Sequence, residues 1–288
     1  MKDLLLHAAT RQQLERIVQG AAHAVLIAGE LGAGKQTVAY KLASQLLGSP
    51  AESSPYVLGI MPDGKSIGIE QIRELQKFLL LKTTGTAIIR RIVIIDQADK
   101  MTVESQNALL KILEEPPADT VIILTASVPQ NLKPTIHSRV QTISLLAPAK
   151  ADVVSYFSAQ GLKPVDIERA YMVSNGQVGL MTALLDVNVE HELASSINEA
   201  KILYGMSTFE RLSKVDAMSR DKEALPSLLY ACKRICMTAL EQAALRHQTN
   251  AVKTWHRQLK LIVEAENAMP RNPNAKLLLT HLFIQMGS

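Results

Sequence analysis

Short apolar runs alternate with segments of helical periodicity along the first 145 residues. Three runs, at 24–28, 92–95 and 121–124, are continuously apolar, as is typical of strands buried on both faces of a parallel sheet. The second belongs to a predicted strand at 88–95, and weaker segments at 56–60 and 140–145 are also predicted as strands. Apolar residues recur at helical spacing in 36–47, 69–82 and 103–113, and 132–139 is a shorter helical passage. The alternation predicts an α/β P-loop-type core, with helices on both faces of a parallel sheet.

A sequence pattern typical of a helix N-terminus precedes these segments. Thr10-Arg11-Gln12-Gln13 has the spacing of a capping box, with Thr at the N-cap and Gln at the third helical position. Leu14, Ile17 and Val18 then follow at helical spacing. The first helix is therefore predicted to begin at Thr10 and to end at Gly20.

The pattern changes near Pro148, beyond which the apolar spacing stays helical and no run typical of a strand follows. Helices are predicted at 149–160, 166–173 and 180–185, and further helices from 189 onward. We therefore expect three domains: an α/β domain at 1–147, a small helical lid at 148–187, and an all-helical collar at 188–288 that would oligomerise.

The composition is that of an ordinary soluble protein, with 47% hydrophobic and 20% charged residues. A net charge of +4 is compatible with nucleic-acid contact but too small to argue for it, and 4% aromatics argue against stacking platforms for single strands. The two cysteines, Cys232 and Cys236, are predicted to be buried, and they are too few for a four-cysteine zinc site. The N-terminus has too short an apolar run for a signal peptide, and no segment approaches the ~20 apolar residues of a membrane span. A cytoplasmic protein without membrane contact is expected.

A glycine-rich loop follows the first predicted strand. Gly29-Glu30-Leu31-Gly32-Ala33-Gly34-Lys35 has the spacing of a phosphate-binding P-loop, in the required context of a strand before it and a helix after it. In such loops the backbone N–H groups and the helix N-terminus face the phosphates, and the lysine contacts the β- and γ-phosphates. The next residue should be Ser or Thr, whose hydroxyl binds Mg²⁺, but it is Gln36, and Thr37 lies about 100° further round the helix. Weak binding of ATP or ADP remains open, while metal-assisted hydrolysis is not expected.

A carboxylate ends the strand at 92–95. Asp96 would lie at the edge of the sheet where ligands bind in open α/β proteins, and an apolar run followed by Asp is the metal-linked half of a phosphate-binding ATPase site. Alternatively, Asp96 merely caps the turn into the next helix. Gln97 follows it where hydrolysing ATPases usually carry Glu, and Gln can hold a water but cannot accept its proton. Gln36 and Gln97 together predict a site that no longer hydrolyses nucleotide.

Several longer motifs resemble one protein family. The run Asn107–Pro117, NALLKILEEPP, and the triplet Ser138-Arg139-Val140 are similar to motifs of the clamp-loader branch of the AAA+ ATPases. Within that branch, Lys65–Arg73 resembles a stretch of the delta-prime family of bacterial DNA polymerase III clamp-loader subunits. The resemblance covers nearly the whole chain in order and is stronger for 20–145 than for the collar.

The resemblance implies roles for individual residues. It implies a phosphate-loop site with Asp96 as the metal-linked carboxylate and Ser127 near the position that senses the γ-phosphate. Arg139 corresponds to an arginine finger that acts in trans, whereas Gly179 stands where ATP-hydrolysing subunits carry a lid arginine. The candidate nucleotide-binding positions are Gly29, Gly32, Gly34, Lys35, Gln36, Thr37, Asp96, Gln97 and Ser127. No metal ligand and no zinc module are expected, because 51–56 contains no cysteine.

The resemblance also implies a function and partners. We expect a stator-like subunit whose arginine finger completes the ATP site of a neighbouring subunit. Its partners would be ATP-hydrolysing clamp-loader subunits and a clamp-opening subunit, with the sliding clamp and primed DNA engaged through the assembled ring. Two alternatives remain: an ATP-hydrolysing motor subunit of the same ring, and a stand-alone AAA+ protein that acts on DNA or on another protein.

Overall fold

The computed structural model describes residues 4–20, 22–83, 87–186, 189, 191–221, 223–271 and 273–287. They form two compact units. Unit 1 extends to Gly161 and includes Gly176–Gly179, and unit 2 comprises Leu162–Asn175 and the chain from Leu180 onward. The division into three domains stays a prediction, and its second boundary, at 187/188, lies outside the described residues.

Unit 1 contains one parallel sheet of five strands in the order β2-β3-β4-β1-β5. The predicted α/β fold is therefore confirmed. The strands are β1 Ala24–Ala28, β2 Val57–Ile60, β3 Arg91–Ile95, β4 Thr120–Ala126 and β5 Gln141–Ser144. β3 begins three residues later than predicted, and β4 extends two residues further, so that Thr125 lies within the sheet. All residues of the three central strands β1, β3 and β4 are buried, as their apolar runs predicted.

Helices cover both faces of this sheet. They are α1 Ala8–Gly20, α2 Lys35–Leu47, α3 Ile69–Leu80, α4 Val103–Glu114, the short α5 Pro134–His137, and α6 Lys150–Ala159. Alternate residues of each central strand enter different cores, as the period-two geometry of a strand requires. Ile92 and Ile94 pack with α1 and α2 on one face, whereas Val93 and Ile95 pack with α3 and α4 on the other.

The predicted start of the first helix is wrong. α1 begins at Ala8, so Thr10 lies inside the helix rather than at its N-cap. Its side chain is fully buried, donates a hydrogen bond to the carbonyl oxygen of Ser144 (2.9 Å), and accepts one from the N–H of Leu146 (3.3 Å). A buried hydroxyl needs such partners. The threonine that the capping pattern assigned to the helix start instead joins α1 to the end of β5.

A buried ion pair joins β3, β4 and the end of α3. Arg91 is 6% exposed and donates to Asp119 at 2.7 Å, while the hydroxyl of Thr83 donates to the same carboxylate at 2.7 Å. The other arm of Arg91 donates to the carbonyl oxygens of Leu79 (2.6 Å) and Leu81 (2.9 Å), which the end of α3 leaves unpaired. Burial alone would raise the pKa of Asp119, but the hydrogen bonds from Arg91 and Thr83 outweigh this effect and hold the pKa at about 2.

Unit 2 is helical throughout its described residues. It contains α7 Pro164–Ser174, most of α8 Val178–Leu185, α9 Glu192–Gly205, α10 Thr208–Met218, α11 Ala224–Leu245, α12 Thr249–Ala268 and α13 Ala275–Met286. α11 packs against α9 and α12, and α10 packs against α13. Both cysteines are buried in the core of this unit, as predicted. Burial raises the pKa of Cys232 to about 12 and that of Cys236 to about 11, so both thiols are protonated at neutral pH.

Candidate functional site

The glycine-rich loop lies at the carboxyl edge of the sheet, directly after β1. Its last glycine, Gly34, occupies the N-cap position of α2 with φ 85°, a left-handed conformation that favours glycine. The N–H of Gly29 donates to Ala126 (3.1 Å), which ties the loop to the end of β4. The loop therefore joins β1 to α2 at the sheet edge where α/β proteins bind ligands.

Lys35 bonds to its own loop. Its ammonium group donates to the carbonyl oxygens of Gly29 (3.0 Å) and Glu30 (2.9 Å) and to the hydroxyl of Ser127 (2.8 Å). An ammonium group has three donors, and these contacts use all of them. A phosphate could bind Lys35 only by displacing at least one of them. The contact with Ser127 also brings the loop and the end of β4 together.

Lys35 is also removed from solvent. The side chain is 7% exposed. Burial lowers the pKa of Lys35, and the carboxylates of Asp99, Asp96 and Glu30 only partly offset this effect. These acidic groups also oppose the approach of an anionic ligand.

Asp96 and Gln97 share a partner in β4. Thr125 is fully buried, donates its hydroxyl hydrogen to the Asp96 carboxylate (2.5 Å), and accepts a hydrogen bond from the N–H of Gln97 (3.0 Å). Gln97 adopts φ 51°, which is uncommon for a residue other than glycine. Thr125 therefore holds the turn that follows β3. It was not among the predicted site residues, because the predicted strand ended before it.

Asp99 is a second residue that sequence reasoning missed. Its carboxylate accepts hydrogen bonds from the N–H groups of Ser127 (3.3 Å) and Val128 (3.0 Å). It thereby fixes the loop after β4, whose serine contacts Lys35. Its position three residues after Asp96, in the run Asp-Gln-Ala-Asp, was the available signal.

The positions next to Lys35 do not assemble a metal site. Gln36 and Thr37 are both exposed on the first turn of α2. Throughout the part of the chain that the structure describes, no group of three or more His, Cys, Asp or Glu side chains could hold a metal ion. Mg²⁺ requires tight octahedral oxygen coordination, which these residues do not provide.

A segment from far along the chain covers the phosphate loop. Gly176–Gly179 belongs to unit 1, and a Cβ at position 179 would lie 2.8 Å from both the carbonyl oxygen of Gly32 and the nitrogen of Gly34. Only glycine permits so close an approach of two backbones. Gln177, 6% exposed, donates to the carboxylate of Glu30 at 3.2 Å and fixes the segment in place.

The residues present therefore do not fit a nucleotide bound through Mg²⁺. The nitrogen of Gly34, which would face a phosphate, lies so close to Gly179 that a Cβ at position 179 would be 2.8 Å from it. Lys35 has no spare donor, and the hydroxyl that would bind the metal is replaced by Gln36.

Arg139 lies at the amino end of the strands, opposite to the carboxyl edge that holds the phosphate loop. It precedes β5, whose last residue, Ser144, pairs with Ala28, the residue before the phosphate loop. At a rise of ~3.3 Å per residue, β5 alone separates the two edges by about 13 Å. Arg139 therefore does not contact the phosphate loop of its own chain.

The guanidinium of Arg139 is fixed on the surface of unit 1. One nitrogen, Nη1, donates to the carbonyl oxygen of Thr135 (3.0 Å) and to the hydroxyl of Ser138 (3.2 Å), and Nη2 donates to the carboxylate of Glu114 (2.7 Å). Three of its five donors are thus used and two remain. The side chain is 33% exposed, so those two donors can bind an external anion.

The sheet order, the phosphate loop after β1 and the aspartate after β3 define an AAA+ P-loop core, followed by helical segments. The same fold occurs in the crystal structure of a DNA polymerase III gamma subunit-related protein from Thermotoga maritima. The TM-score is 0.55, and the match covers 96% of this chain and 98% of that one. Sequence identity is 22%, so the likeness supports the fold alone.

Sequence comparisons show what the first half of the chain is similar to. Residues 7–149 match the family described as "DNA polymerase III, delta subunit". The delta-prime subunit of Bacillus subtilis DNA polymerase III is 37% identical over 137 residues, which cover 42% of this chain and 41% of that subunit. A replication factor C small subunit from Aeropyrum pernix is 30% identical over 216 residues, or 73% of this chain and 61% of that protein. Residues 7–149 are therefore similar to delta-prime subunits of DNA polymerase III and to related clamp-loader proteins, and the expected resemblance is confirmed for this part of the chain.

The chain thus spans about two fifths of the length of the delta-prime subunit that it matches. No helix among the described residues is long and apolar enough to cross a membrane.

Proposed function

We propose that this chain is a stator-like subunit of a DNA polymerase III clamp loader. It does not hydrolyse ATP itself and supplies Arg139 to the ATP site of a neighbouring subunit. The observation that carries the proposal is the position of Arg139, fixed at one edge of the sheet with two free donors while its own phosphate loop lies at the other edge. Because it cannot act on its own loop, a phosphate that it contacts must come from another chain.

The closed phosphate loop supports the second part of the proposal. The close approach of Gly179 to the loop and the bonds of Lys35 to its own loop support a site that binds phosphate poorly. The alternative of an ATP-hydrolysing motor subunit would need a hydroxyl at 36, a carboxylate at 97 and an arginine at 179, and the chain has Gln, Gln and Gly there.

Exposed apolar side chains in unit 2 support the proposed oligomerisation. Phe209 on α10 is 81% exposed, and on α13, which packs against α10, Leu277 is 68% and Ile284 46% exposed. Exposed large apolar side chains of this kind are compatible with protein–protein contacts. We assign them to contacts with neighbouring clamp-loader subunits of the same ring.

The proposed partners are ATP-hydrolysing clamp-loader subunits and a clamp-opening subunit, with the sliding clamp and primed DNA engaged through the assembled ring in the cytoplasm. Purification of the tagged chain from its own cells, followed by mass spectrometry, tests this directly. Clamp-loader ATPase subunits should copurify in stoichiometric amounts. A chain that copurifies with none of them would instead fit the alternative of a stand-alone AAA+ protein.

The isolated protein is expected to hydrolyse ATP negligibly, because the metal-binding hydroxyl, the glutamate and the lid arginine are all absent. Any residual nucleotide affinity should depend little on Mg²⁺, since no metal ligand accompanies Lys35. Steady-state turnover, and titration of a fluorescent ATP analogue with Mg²⁺ or with EDTA, measure both quantities. Turnover near that of active clamp-loader ATPases, abolished by Lys35→Ala, would contradict the prediction.

Glu114 is expected to weaken the binding of a neighbour's nucleotide by Arg139, because its carboxylate forms an ion pair with the guanidinium. Glu114→Gln keeps a hydrogen-bond acceptor but removes this charge, so Arg139 should bind a neighbour's nucleotide more strongly. An exposed ion pair is worth at most about 1 kcal/mol, so the KM for ATP of the reconstituted complex should fall by up to about fivefold. The adjacent Glu115, which forms no ion pair with Arg139, provides the matched control Glu115→Gln. Equal KM values for the two variants would show that Glu114 has no such role.

A further inference from the structure

An acid-free stretch of the chain carries a concentration of positive charge. Residues 242–263 contain four lysines and arginines, two histidines, and no aspartate or glutamate. Their formal charge of +4 equals that of the whole 288-residue chain. The four cations are Arg246, Lys253, Arg257 and Lys260. The stretch begins after Glu241 and ends before Glu264, so the remaining sequence is close to neutral.

Most of this charge lies on one face of α12. Lys253, His256, Arg257 and Lys260, which we call the basic strip, fall within about 100° of one another at helical spacing. All four are exposed, whereas Gln258, Ile262 and Ala265 of the same helix are buried. The strip therefore faces away from the core of unit 2. From Lys253 to Lys260 it extends about 10 Å along the helix axis.

The basic strip forms no ion pair within the described part of unit 2, and an acidic side chain on the same face, exposed Glu264, follows one turn beyond its last lysine. Over the described residues, none of the ion pairs involves one of its four side chains. By contrast, Lys233 on α11 pairs with Glu266 at 2.6 Å, and Lys276 on α13 pairs with Asp216 at 2.6 Å. Cations on neighbouring helices thus have internal partners, and those of the strip are available to an external polyanion.

The surroundings of the strip favour a nucleic-acid backbone over other polyanions. The one aromatic residue in the stretch, Trp255, packs edge-on against Tyr204 with ring centres 5.5 Å apart. It is therefore engaged in packing. The exposed apolar Leu245 and Val263 lie outside the arc of the four basic side chains, whereas a membrane surface or a single strand requires apolar or aromatic side chains that can insert or stack at the binding face. Exposed Asn250 lies beside the cations, and side chains of this kind donate hydrogen bonds to phosphate oxygens.

We propose that the basic strip on α12 binds the sugar-phosphate backbone of duplex DNA without sequence preference. Duplex DNA carries a negative charge about every 1.7 Å along its axis, so a strip about 10 Å long faces roughly six phosphates. This assignment goes beyond the proposed function, in which DNA is engaged by the assembled ring and no contact is assigned to this chain. It does not depend on Arg139 or on the phosphate loop.

The test is fluorescence anisotropy with a labelled 20-base-pair duplex of random sequence, titrated with the full-length chain at several salt concentrations. The variant Lys253→Gln/Arg257→Gln/Lys260→Gln removes three charges from the strip. The control Lys163→Gln/Lys201→Gln/Lys214→Gln removes three from exposed positions elsewhere in unit 2. Circular dichroism melts establish that both variants fold.

The wild-type chain should bind the duplex with an affinity that falls steeply with salt. Each lost phosphate contact lowers the slope of log K against log salt by about 0.9, so the strip variant should lose roughly two to three units of slope and about tenfold or more in affinity. The control variant should retain most of the affinity and most of the slope. Equal losses in the two variants, or no duplex binding by the wild-type chain, would overturn the proposal. Binding to phosphatidylserine vesicles but not to DNA would assign the strip to a membrane surface instead.

Discussion

Replacing Arg139 with alanine is expected to lower the clamp-stimulated ATP turnover of a reconstituted clamp loader and to lower clamp loading with it. A planar, permanently charged guanidinium stabilises the charge on a transferring phosphoryl group, and removing such a finger costs about 10³–10⁵ in rate at the affected site. Total turnover should fall less, because the other ATP sites of the ring keep their own fingers. The measurement is steady-state turnover of the assembled complex, together with a fluorescence assay of clamp loading.

Three controls make this result specific. Arg139→Lys should not restore activity, because an ammonium group lacks the planar fork. Arg16→Ala removes an exposed arginine from α1 of the same unit and should leave turnover unchanged. Assembly and the melting curve of the Arg139→Ala chain should match those of the wild type, since only exposed side-chain contacts are lost. Undiminished clamp loading by a ring that contains Arg139→Ala would rule out the finger.

Asp119→Ala is expected to destabilise unit 1 strongly. The substitution leaves the guanidinium of Arg91 buried without its counter-charge, and breaking a buried ion pair in this way costs about 3–5 kcal/mol. Thr83 also loses its acceptor, and the support for the end of α3 weakens. Urea unfolding measures the change. Glu70→Ala, which breaks an exposed pair with Arg73 in the same unit, should cost less than about 1 kcal/mol. Equal costs for the two substitutions would contradict the prediction.

The carboxylate of Asp119 also makes the stability of the folded chain depend on pH. Its pKa is about 2 in the folded chain and 3.8 unperturbed, so the folded state binds the proton less tightly than the unfolded state. The corresponding stability, roughly 2 kcal/mol, is present above about pH 4 and is lost as the pH falls towards 2. Asp119→Ala should lack this component, so its stability should decline less than that of the wild type over the same interval.

Much of the fold could be predicted from the sequence, because buried strands need long apolar runs and helices need a different period. The runs at 24–28, 92–95 and 121–124 became the three central strands. The ends of the helices and strands were less predictable. Thr10 has the local pattern of a helix cap, but a contact 134 residues away decides its role. Thr125 was missed because a polar residue in a central strand is not expected without knowledge of its partner.

The candidate site was predictable in its parts and not in its arrangement. Glycine spacing located the phosphate loop, and the replacements at Gln36 and Gln97 predict that it does not hydrolyse nucleotide. That Lys35 donates to Ser127, and that Gly179 lies close to the loop, depends on segments more than 90 residues apart in sequence. No local pattern encodes such contacts. The ion pair of Arg139 with Glu114 likewise joins two motifs that the sequence presents separately.

A parallel sheet has a direction, and the placement of Arg139 and the phosphate loop at its opposite edges makes that direction matter for assembly. Two chains that meet finger to loop use different surfaces, so the contact is heterologous and runs head to tail. A chain can supply an arginine finger to its neighbour and yet hold no nucleotide on which another chain's finger could act. Such a chain can occupy only a terminal position in the series. Its presence would break rotational symmetry, so that the ring has a first and a last subunit and a defined place at which the sequence of ATP sites ends.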